Sequence, residues 1–374
     1  MQPSFYPDGP RLVADIGGTN ARFALERAPG QLSAVRTLAC ADYLRFEDAA
    51  GAYLAGAGIA VHHAAIAIAN PVDGDAVRMT NHCWAFSTAQ AARELRLDTL
   101  LVVNDFTALA MSLPALPQAD LVQIGGGSAR PNCAIGLVGA GTGLGVSGLV
   151  PHAGGWTPLH SEGGHVAFSP SDEREVAVLR HCWERYAHVS AERLVSGPGL
   201  VLIREALAAR AGRVFETLNP AEIVTLGLRD GDALCMETLA CFAGMLGTVA
   251  ANLAVTLGAR GGIYIGGGVV PRLGDWFARS PFRARFEHKG RFSAFTAAIP
   301  TFVITAPYPA LLGAARMLAD HLADGRAVSA AAQLPEESAA PPGGHLDGKS
   351  SGQQADGAAA GTGAECEERE HAHC

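Results

Sequence analysis

The sequence predicts an α/β fold, because short apolar runs alternate along the chain with longer segments of helical pattern. The chain has 374 residues, 49% of them hydrophobic, enough for two or three domains or for one large two-lobed domain. Two similar segments, "DIGGTNARFAL" (15–25) and "GAGTGLGVSGL" (139–149), each follow a predicted strand and indicate a β-hairpin with a glycine-rich turn. One such hairpin in each half of the chain suggests an internal duplication.

The predicted strands are short runs rich in Val, Ile, Leu and Ala, as expected of strands buried on both faces. They cover residues 11–16, 64–69, 100–103, 134–139, 261–266 and 301–305. The predicted helices cover residues 46–58, 87–96, 171–187, 231–257 and 306–322. Ser87 and Ser171 stand where a side chain can cap a helix N-terminus, and Pro309 suits the first turn of the last helix.

The acidic charge is concentrated at the C-terminus. Residues 331–374 hold eight acidic and two basic residues and carry −6, which leaves −2 for residues 1–330. That balance provides no large basic field and argues against a nucleic-acid-binding protein. The same C-terminal segment contains no aromatic residue and few large aliphatic ones, so burial cannot offset its ordering entropy. We predict that it is a disordered acidic tail.

Several features indicate a cytoplasmic protein. The eight cysteines are scattered singly without a CxxC pair, which is typical of reduced cysteines. The N-terminus lacks the basic and apolar segments of a signal peptide. The apolar runs are expected to be too short or too glycine-rich to span a bilayer. We therefore expect neither a membrane nor a nucleic acid as a partner.

The first glycine turn, Gly17-Gly18-Thr19, follows a predicted strand that delivers Asp15 to its end. Glycine lets the backbone approach a ligand closely, and N–H groups in such a turn can bind phosphate oxygens. Because the Asp15 carboxylate would repel phosphate, a Mg²⁺ ion is expected between them, with water as an intermediary. The structural alternative is a tight hairpin with an Asx-type turn.

Two further glycine clusters follow predicted strands. The second surrounds Thr142 within residues 139–145, and the third is "YIGGGVVPR" (264–272), which precedes a helix. "GAGTGLG" contains the letters GxGxxG, but the alternation after it predicts a strand, so the dinucleotide-binding interpretation is rejected. The third cluster suits close approach to a flat or phosphorylated ligand. Three such clusters together indicate a nucleotide.

A set of polar residues suits a polyhydroxyl ligand. Asn104 and Asp105 interrupt the apolar segment "LLVVNDFTAL", and burying a charge without a partner is costly. Glu162 and His165 lie around a glycine pair, and Glu192 lies near a predicted helix start. Carboxylates, amides and imidazoles can hydrogen-bond to neighbouring hydroxyls. The alternatives are a structural role for the histidine, and helix capping for the aspartate.

The chain resembles the bacterial ATP-dependent glucokinases of the hexokinase type, within the actin-like ATPase superfamily, from about Arg11 to about Leu322. The resemblance is carried, in this order, by "DIGGTNARFAL" (15–25), "MTNHCWAFS" (79–87), "NDFTALAM" (104–111), "GAGTGLGVSGLV" (139–150), "SEGGHVAFSP" (161–170), "HVSAERLVSGPGL" (188–200), "GGIYIGGGVVPR" (261–272) and "FEHKGRF" (286–292). Ala14 departs from the glycine that the family often has before the aspartate. The acidic tail has no counterpart in the family.

The resemblance implies a two-lobed actin-like ATPase (ribonuclease H-like) fold, with a duplicated mixed-sheet core and an interlobe cleft. The implied small lobe comprises residues 1–115 and 306–330, and the large lobe residues 116–305. Asp105 would be the catalytic base. The implied sugar-binding residues are Asn104, Asp105, Glu162, His165 and Glu192. The implied nucleotide-binding residues are Ala14, Asp15, Ile16, Gly17, Gly18, Thr19, Gly141, Thr142, Gly143, Gly266, Gly267 and Gly268, with Asp15 also holding Mg²⁺ through water.

The function implied is transfer of the γ-phosphoryl group of MgATP to the 6-hydroxyl of D-glucose, the first step of glycolysis, by a cytoplasmic homodimer. The alternatives are a kinase for another hexose and a non-catalytic regulator that binds sugar and nucleotide. The cysteine-rich zinc motif of the related ROK group is absent from the sequence, which counts against that group. An actin-like filament or chaperone ATPase is disfavoured by the sugar-type polar set.

Overall fold

The structure, a computed structural model, describes residues 5–214 and 216–331, so all of the predicted tail except Ala331 lies outside the described residues. The strands are β1 (Arg11–Ile16), β2 (Asn20–Ala28), β3 (Gln31–Ala39), β4 (His63–Ile68), β5 (Ala76–Arg78), β6 (Ala85–Ser87), β7 (Thr99–Asn104), β8 (Leu121–Ile124), β9 (Ile135–Ala140), β10 (Leu144–His152), β11 (Gly155–Pro158), β12 (Ile263–Gly266) and β13 (Thr301–Ile304). The α-helices are α1 (Phe46–Ala57), α2 (Thr88–Glu94), α3 (Asp105–Ser112), α4 (Glu173–Trp183), α5 (Ala191–Leu194), α6 (Gly197–Arg210), α7 (Pro220–Leu228), α8 (Ala233–Leu257), α9 (Val269–Arg272), α10 (Trp276–Arg279), α11 (Phe282–Glu287), α12 (Ser293–Ala297) and α13 (Pro309–Ala331).

The first sheet has the strand order β3-β2-β1-β4-β7. β1, β2 and β3 form an antiparallel meander, whereas β1, β4 and β7 run parallel. In the register of the sheet, Ile68 at the end of β4 pairs with both Ile16 and Asn104. The glycine turn after β1 and the polar pair that begins at the end of β7 therefore lie at the same end of the sheet, beyond the carboxyl ends of its parallel strands.

The second sheet repeats this arrangement. Its order is β11-β10-β9-β12-β13-β8, and its first five strands have the same relative directions as the five strands of the first sheet. β8 is an added antiparallel strand beside β13. The predicted duplication is confirmed, since both glycine turns join the first two strands of a repeat.

The C-terminal helix α13 returns to the first sheet. Leu311 and Ala315 pack against Val13 and Ala24 of β1 and β2. Ala314 and Leu318 of α13 pack in a second cluster with residues of β4, β7 and α3. This contact covers one face of the first sheet, while α1 and the segment around Trp84 form a core on the other face.

Helix α8 runs through the core of the part of the chain that contains the second sheet, and 16 of its 25 residues are buried. It is long and apolar enough to cross a membrane by length and composition, and 78% of its most apolar window is buried within the protein. The expectation that the apolar runs would be too short or too glycine-rich to span a bilayer was therefore wrong for α8. The extensive burial is that of a core helix.

The helix caps agree with the sequence at one predicted position and not at the other. The Ser87 side chain accepts a hydrogen bond from Gln90 N–H and caps α2 as predicted. For α4 the cap is Asp172, which accepts from Glu175 N–H, so the prediction of Ser171 was wrong by one residue. Ser171 instead donates its N–H to the buried Glu175 carboxylate at 2.7 Å.

Candidate active site

Two neighbouring cavities, each of about 670 Å³, lie beside the two glycine hairpins. The first cavity is lined by both hairpin turns and by the polar residues near 104 and 162. The second is lined by the ends of β12 and β13 and by the start of α13. The residues common to both linings are Asp15, Arg22, Asp105, Phe106 and Gly267. We call this set the shared wall.

Asp105 is placed on the shared wall by the junction between β7 and α3. Asn104 caps α3, because its Oδ1 accepts hydrogen bonds from the N–H groups of Phe106 and Thr107, both at 3.0 Å. Asp105 is the first residue of the helix, and its Oδ1 also accepts from Phe106 N–H at 2.8 Å. The N-cap of α3 is thus Asn104, and Asp105 is the first residue of the helix.

Asp105 has an unusually basic carboxylate. Burial, and after it the negative charge of Asp15, raises the pKa of Asp105 to about 7, and Glu162 adds to the effect. The hydrogen bond from Phe106 N–H acts in the opposite direction. A carboxylate with a pKa near neutrality is suited to take up a proton during a reaction at neutral pH.

The predicted sugar-binding residues converge on the first cavity. Glu162 precedes the short 3-10 helix Gly163–His165, and Glu192 is the second residue of α5. The His165 ring lies between the two carboxylates, with Nε2 3.9 Å from Glu162 and Nδ1 4.0 Å from Glu192. These three residues, together with Asn104 and Asp105, line the cavity.

Glycines bring the second hairpin close to Phe106 and to Glu192. A Cβ atom on Gly145 would overlap the Phe106 ring, so α3 packs directly on the backbone of β10. A Cβ atom on Gly143 would overlap the Glu192 carboxylate, which accepts a hydrogen bond from Leu144 N–H at 2.9 Å. The glycine turn therefore orients Glu192 as well as forming part of the cavity.

The predicted nucleotide-binding residues divide between the two cavities. Those that line the first cavity are Asp15, Gly17, Gly18, Gly141, Thr142, Gly143 and Gly267. Those that line the second cavity are Asp15, Gly266, Gly267 and Gly268. Neither described lining includes Ala14 or Ile16, whose side chains are fully buried, or the exposed Thr19. Thr19 instead accepts a hydrogen bond from Cys40 N–H at its carbonyl.

Arg22 belongs to the site but was not among the predicted residues. It lies opposite Asp15 in the β1–β2 register, and its guanidinium pairs with that carboxylate at 3.2 Å. Burial raises the pKa of Asp15, although Arg22 opposes the shift. The signal was present in the motif, because a hairpin that turns at residues 17–19 brings positions 15 and 22 side by side.

The segment after β5 also reaches the site. Asn81 lines the first cavity, and its backbone oxygen would lie 2.8 Å from a Cβ atom on Gly18. Asn70 connects this segment to the junction of β7 and α3, since its carbonyl accepts from the Asn104 side chain at 3.3 Å and its Oδ1 accepts from Thr80 N–H at 2.8 Å. These contacts support the first glycine turn and the Asn104 amide.

Metal binding by protein side chains alone does not fit this site. Among the described residues, no group of three or more His, Cys, Asp or Glu side chains could hold a metal ion. The shared wall holds two carboxylates, Asp15 and Asp105, and so small a set suits Mg²⁺ that is held mainly by substrate phosphates and water. The site thus fits a magnesium ion that arrives with its nucleotide.

Two sheets of the same topology, two glycine hairpins and a carboxylate-lined cavity are the arrangement of the two-lobed, actin-like sugar kinases. A family model described as Glucokinase matches residues 12–321. The chain is 56% identical to "Glucokinase" of Chromobacterium violaceum, over 84% of this chain and 90% of that protein. The chain belongs to the glucokinase family.

Other relatives and solved structures agree with this assignment. The chain is 59% identical to "Bifunctional protein glk" of Burkholderia pseudomallei, over 86% of this chain, and spans about half the length of that relative. The structure of a glucokinase from an Antarctic psychrotroph has 35% identity and a TM-score of 0.76, covering 83% of this chain and 99% of that one. A glucokinase from Balamuthia mandrillaris, solved with glucose, shares the fold at 20% identity and a TM-score of 0.73, over 83% of this chain and 93% of that one.

Proposed function

We propose that the protein is a glucokinase, which transfers the γ-phosphoryl group of MgATP to the 6-hydroxyl of D-glucose and yields glucose 6-phosphate and ADP. The observation that carries the proposal is the position of Asp105. Its carboxylate lies on the shared wall, between a cavity lined by sugar-type polar groups and a cavity lined by the third glycine cluster. A base at that position can serve a reaction between the occupants of the two cavities.

In this mechanism glucose occupies the first cavity. Asn104, Glu162, His165 and Glu192 hydrogen-bond to its hydroxyl groups and fix its orientation. Asp105 accepts the proton of the 6-hydroxyl as the sugar oxygen forms a bond to the γ-phosphorus. The bond from that phosphorus to the β,γ-bridging oxygen breaks, and ADP leaves with its electrons. The raised pKa of Asp105 supports its part as the base.

The glycine turns of both hairpins contribute backbone N–H groups to the phosphates. Magnesium arrives as part of MgATP, and we assign Asp15 to hold it through water. The ion held by Asp15 would supply positive charge to the phosphate oxygens. Arg22 is paired with Asp15 on the same wall, and this pairing partly offsets the repulsion between that carboxylate and a phosphate.

Closure of two lobes around glucose would exclude water and limit wasteful hydrolysis of ATP. We propose the lobe boundaries 1–115 with 306–330 for the small lobe, and 116–305 for the large lobe. The strands of the first sheet all fall in the first range, and α13 packs on that sheet. The strands of the second sheet all fall in the range 116–305.

We also propose a cytoplasmic homodimer that acts at the first step of glycolysis, without a membrane or nucleic acid as a partner. The described cysteines are all free thiols, which is expected in a reducing compartment. The dimer rests on the family resemblance, and the glycolytic step on the proposed substrates.

The test is an assay that couples ADP release to a detectable reaction, with MgATP and a panel of glucose, fructose, mannose and N-acetylated amino sugars. We expect the highest kcat/KM with glucose. A higher kcat/KM with another hexose would reassign the substrate, and an ATPase rate independent of sugar would contradict a sugar kinase. Asp105→Asn serves as the matched inactive control.

A further inference from the structure

Charge is unevenly distributed around the second cavity. Its charged lining residues, Asp15, Arg22 and Asp105, all belong to the shared wall. Away from that wall, the described lining residues carry no charge and are mostly apolar or glycine. A cavity of this kind suits a ligand with one highly charged end and one flat, weakly polar end.

Tyr308 is the large aromatic side chain at the uncharged end. It lies in the segment between β13 and α13, lines the second cavity and keeps 38% of its surface exposed. Pro307 and Pro309 flank it, and the following proline restricts the tyrosine backbone to extended conformations. The ring is thus held on a short, stiff segment beside the cavity.

The third glycine cluster leaves open space on the wall of the same cavity. A Cβ atom added to Gly268 would meet nothing within 4 Å, and Gly268 lines the second cavity together with Pro271 and Tyr308. An exposed aromatic ring next to open backbone is a surface on which a planar ligand can stack.

We propose that the Tyr308 ring forms one face of the subsite for the adenine base of ATP. This assignment rests on the proposed function, because the triphosphate must reach the shared wall while the base occupies the uncharged end. Glucose is a poor occupant of that end, since the carboxylates and imidazole that suit hydroxyls line the first cavity. A nucleotide with its Mg²⁺ matches both ends of the second cavity, since the cation offsets the repulsion between the triphosphate and the carboxylates of Asp15 and Asp105.

The test measures binding of MgADP by calorimetry to the full-length protein and to three variants. Stacking of a base on an aromatic ring predicts about tenfold weaker binding in Tyr308→Ala and a change below about twofold in Tyr308→Phe. Trp183→Ala is the matched control, because Trp183 is 56% exposed and belongs to neither described lining. We expect it to bind as the wild type does.

Magnesium tripolyphosphate serves as a probe without a base, and its affinity should be the same for wild type and Tyr308→Ala. An equal loss of affinity for ADP and tripolyphosphate would overturn the proposal, as would unchanged ADP binding in Tyr308→Ala. If the alanine variant does not fold, Tyr308→Trp provides the readout. ADP should change its added fluorescence and tripolyphosphate should not, and the same response to both would overturn the assignment.

Failure of this proposal can be told apart from failure of the proposed function. A wild-type protein that binds ADP through Tyr308 but phosphorylates no hexose would refute only the glucokinase proposal. A protein that phosphorylates glucose and binds ADP equally well without the Tyr308 ring would refute only the base subsite.

Discussion

Asp15 and Asp105 lie on one wall between two cavities, and the negative charge of Asp15 raises the pKa of the Asp105 carboxyl. Burial, and next the Asp15 charge, places the pKa of Asp105 near 7. Asp15 itself is paired with Arg22, which reduces but does not remove its influence. The Asp15 charge thus helps to set the pKa of Asp105, and the pH dependence and stability predicted below depend on that pKa.

Replacement of Asp105 by asparagine should lower kcat at least about a hundredfold, the scale expected for loss of a general base. The asparagine keeps an oxygen that can accept the hydrogen bond from Phe106 N–H, so the start of α3 should be preserved. Glucose affinity, measured by calorimetry without ATP, should stay within a few-fold of wild type. A variant with near-normal kcat would remove Asp105 from the mechanism.

The pH dependence of the reaction should follow ionisation of Asp105 in the enzyme that has not yet bound glucose. Because the base must be deprotonated, kcat/KM for glucose should fall as the pH drops below about 7. A single group with that pKa predicts a decrease of about tenfold between pH 8 and pH 6. Initial rates at saturating MgATP provide the measurement. A profile that is flat down to pH 5 would contradict the raised pKa.

Asp105 should also reduce the stability of the protein at neutral and alkaline pH. An unfolded aspartate ionises near its model value of 3.8, whereas the folded carboxyl ionises near 7. The folded state therefore loses stability as the pH rises between these two values, by up to about 4 kcal/mol. Asp105→Asn should raise Tm more at pH 8 than at pH 5, as measured by calorimetry. The opposite order would show that the charged form is not disfavoured by folding.

Gly143→Ala should weaken glucose binding through Glu192. The added Cβ would overlap the Glu192 carboxylate and force it to move. We expect KM for glucose to rise about tenfold or more, with a smaller change in KM for ATP. The matched control is Gly126→Ala, since a Cβ on Gly126 would meet nothing within 4 Å. Equal effects of the two substitutions would show that the contact with Glu192 is unimportant.

Much of the site could be predicted from the sequence because its residues follow strand ends. The pair Asn104 and Asp105 breaks an apolar run, and parallel pairing through β4 then fixes its position beside the first glycine turn. Glu162 and His165 stand out in the same way, as polar residues around a glycine pair. Such local contrasts are visible without knowledge of the tertiary structure.

Other features depend on contacts between distant segments. Arg22 became significant only through its register with Asp15, and Tyr308 only through the cavity between the start of α13 and the third glycine cluster. Asp172 rather than Ser171 caps α4, where Arg285 also binds Asp172 at 2.9 Å. Sequence spacing alone does not show that the Arg285 side chain lies beside Asp172.

The capping role of Asn104 has a consequence for the chemistry beside it. Its Oδ1 accepts from the N–H groups of Phe106 and Thr107, and its Nδ2 donates to the Asn70 carbonyl at 3.3 Å and to Asp105 Oδ1 at 3.2 Å, so the amide faces the catalytic carboxylate as a donor. An aspartate would cap α3 equally well. It would, however, place a second anion next to Asp105 and remove the donor. Electrical neutrality together with a fixed amide orientation explains why this position needs asparagine.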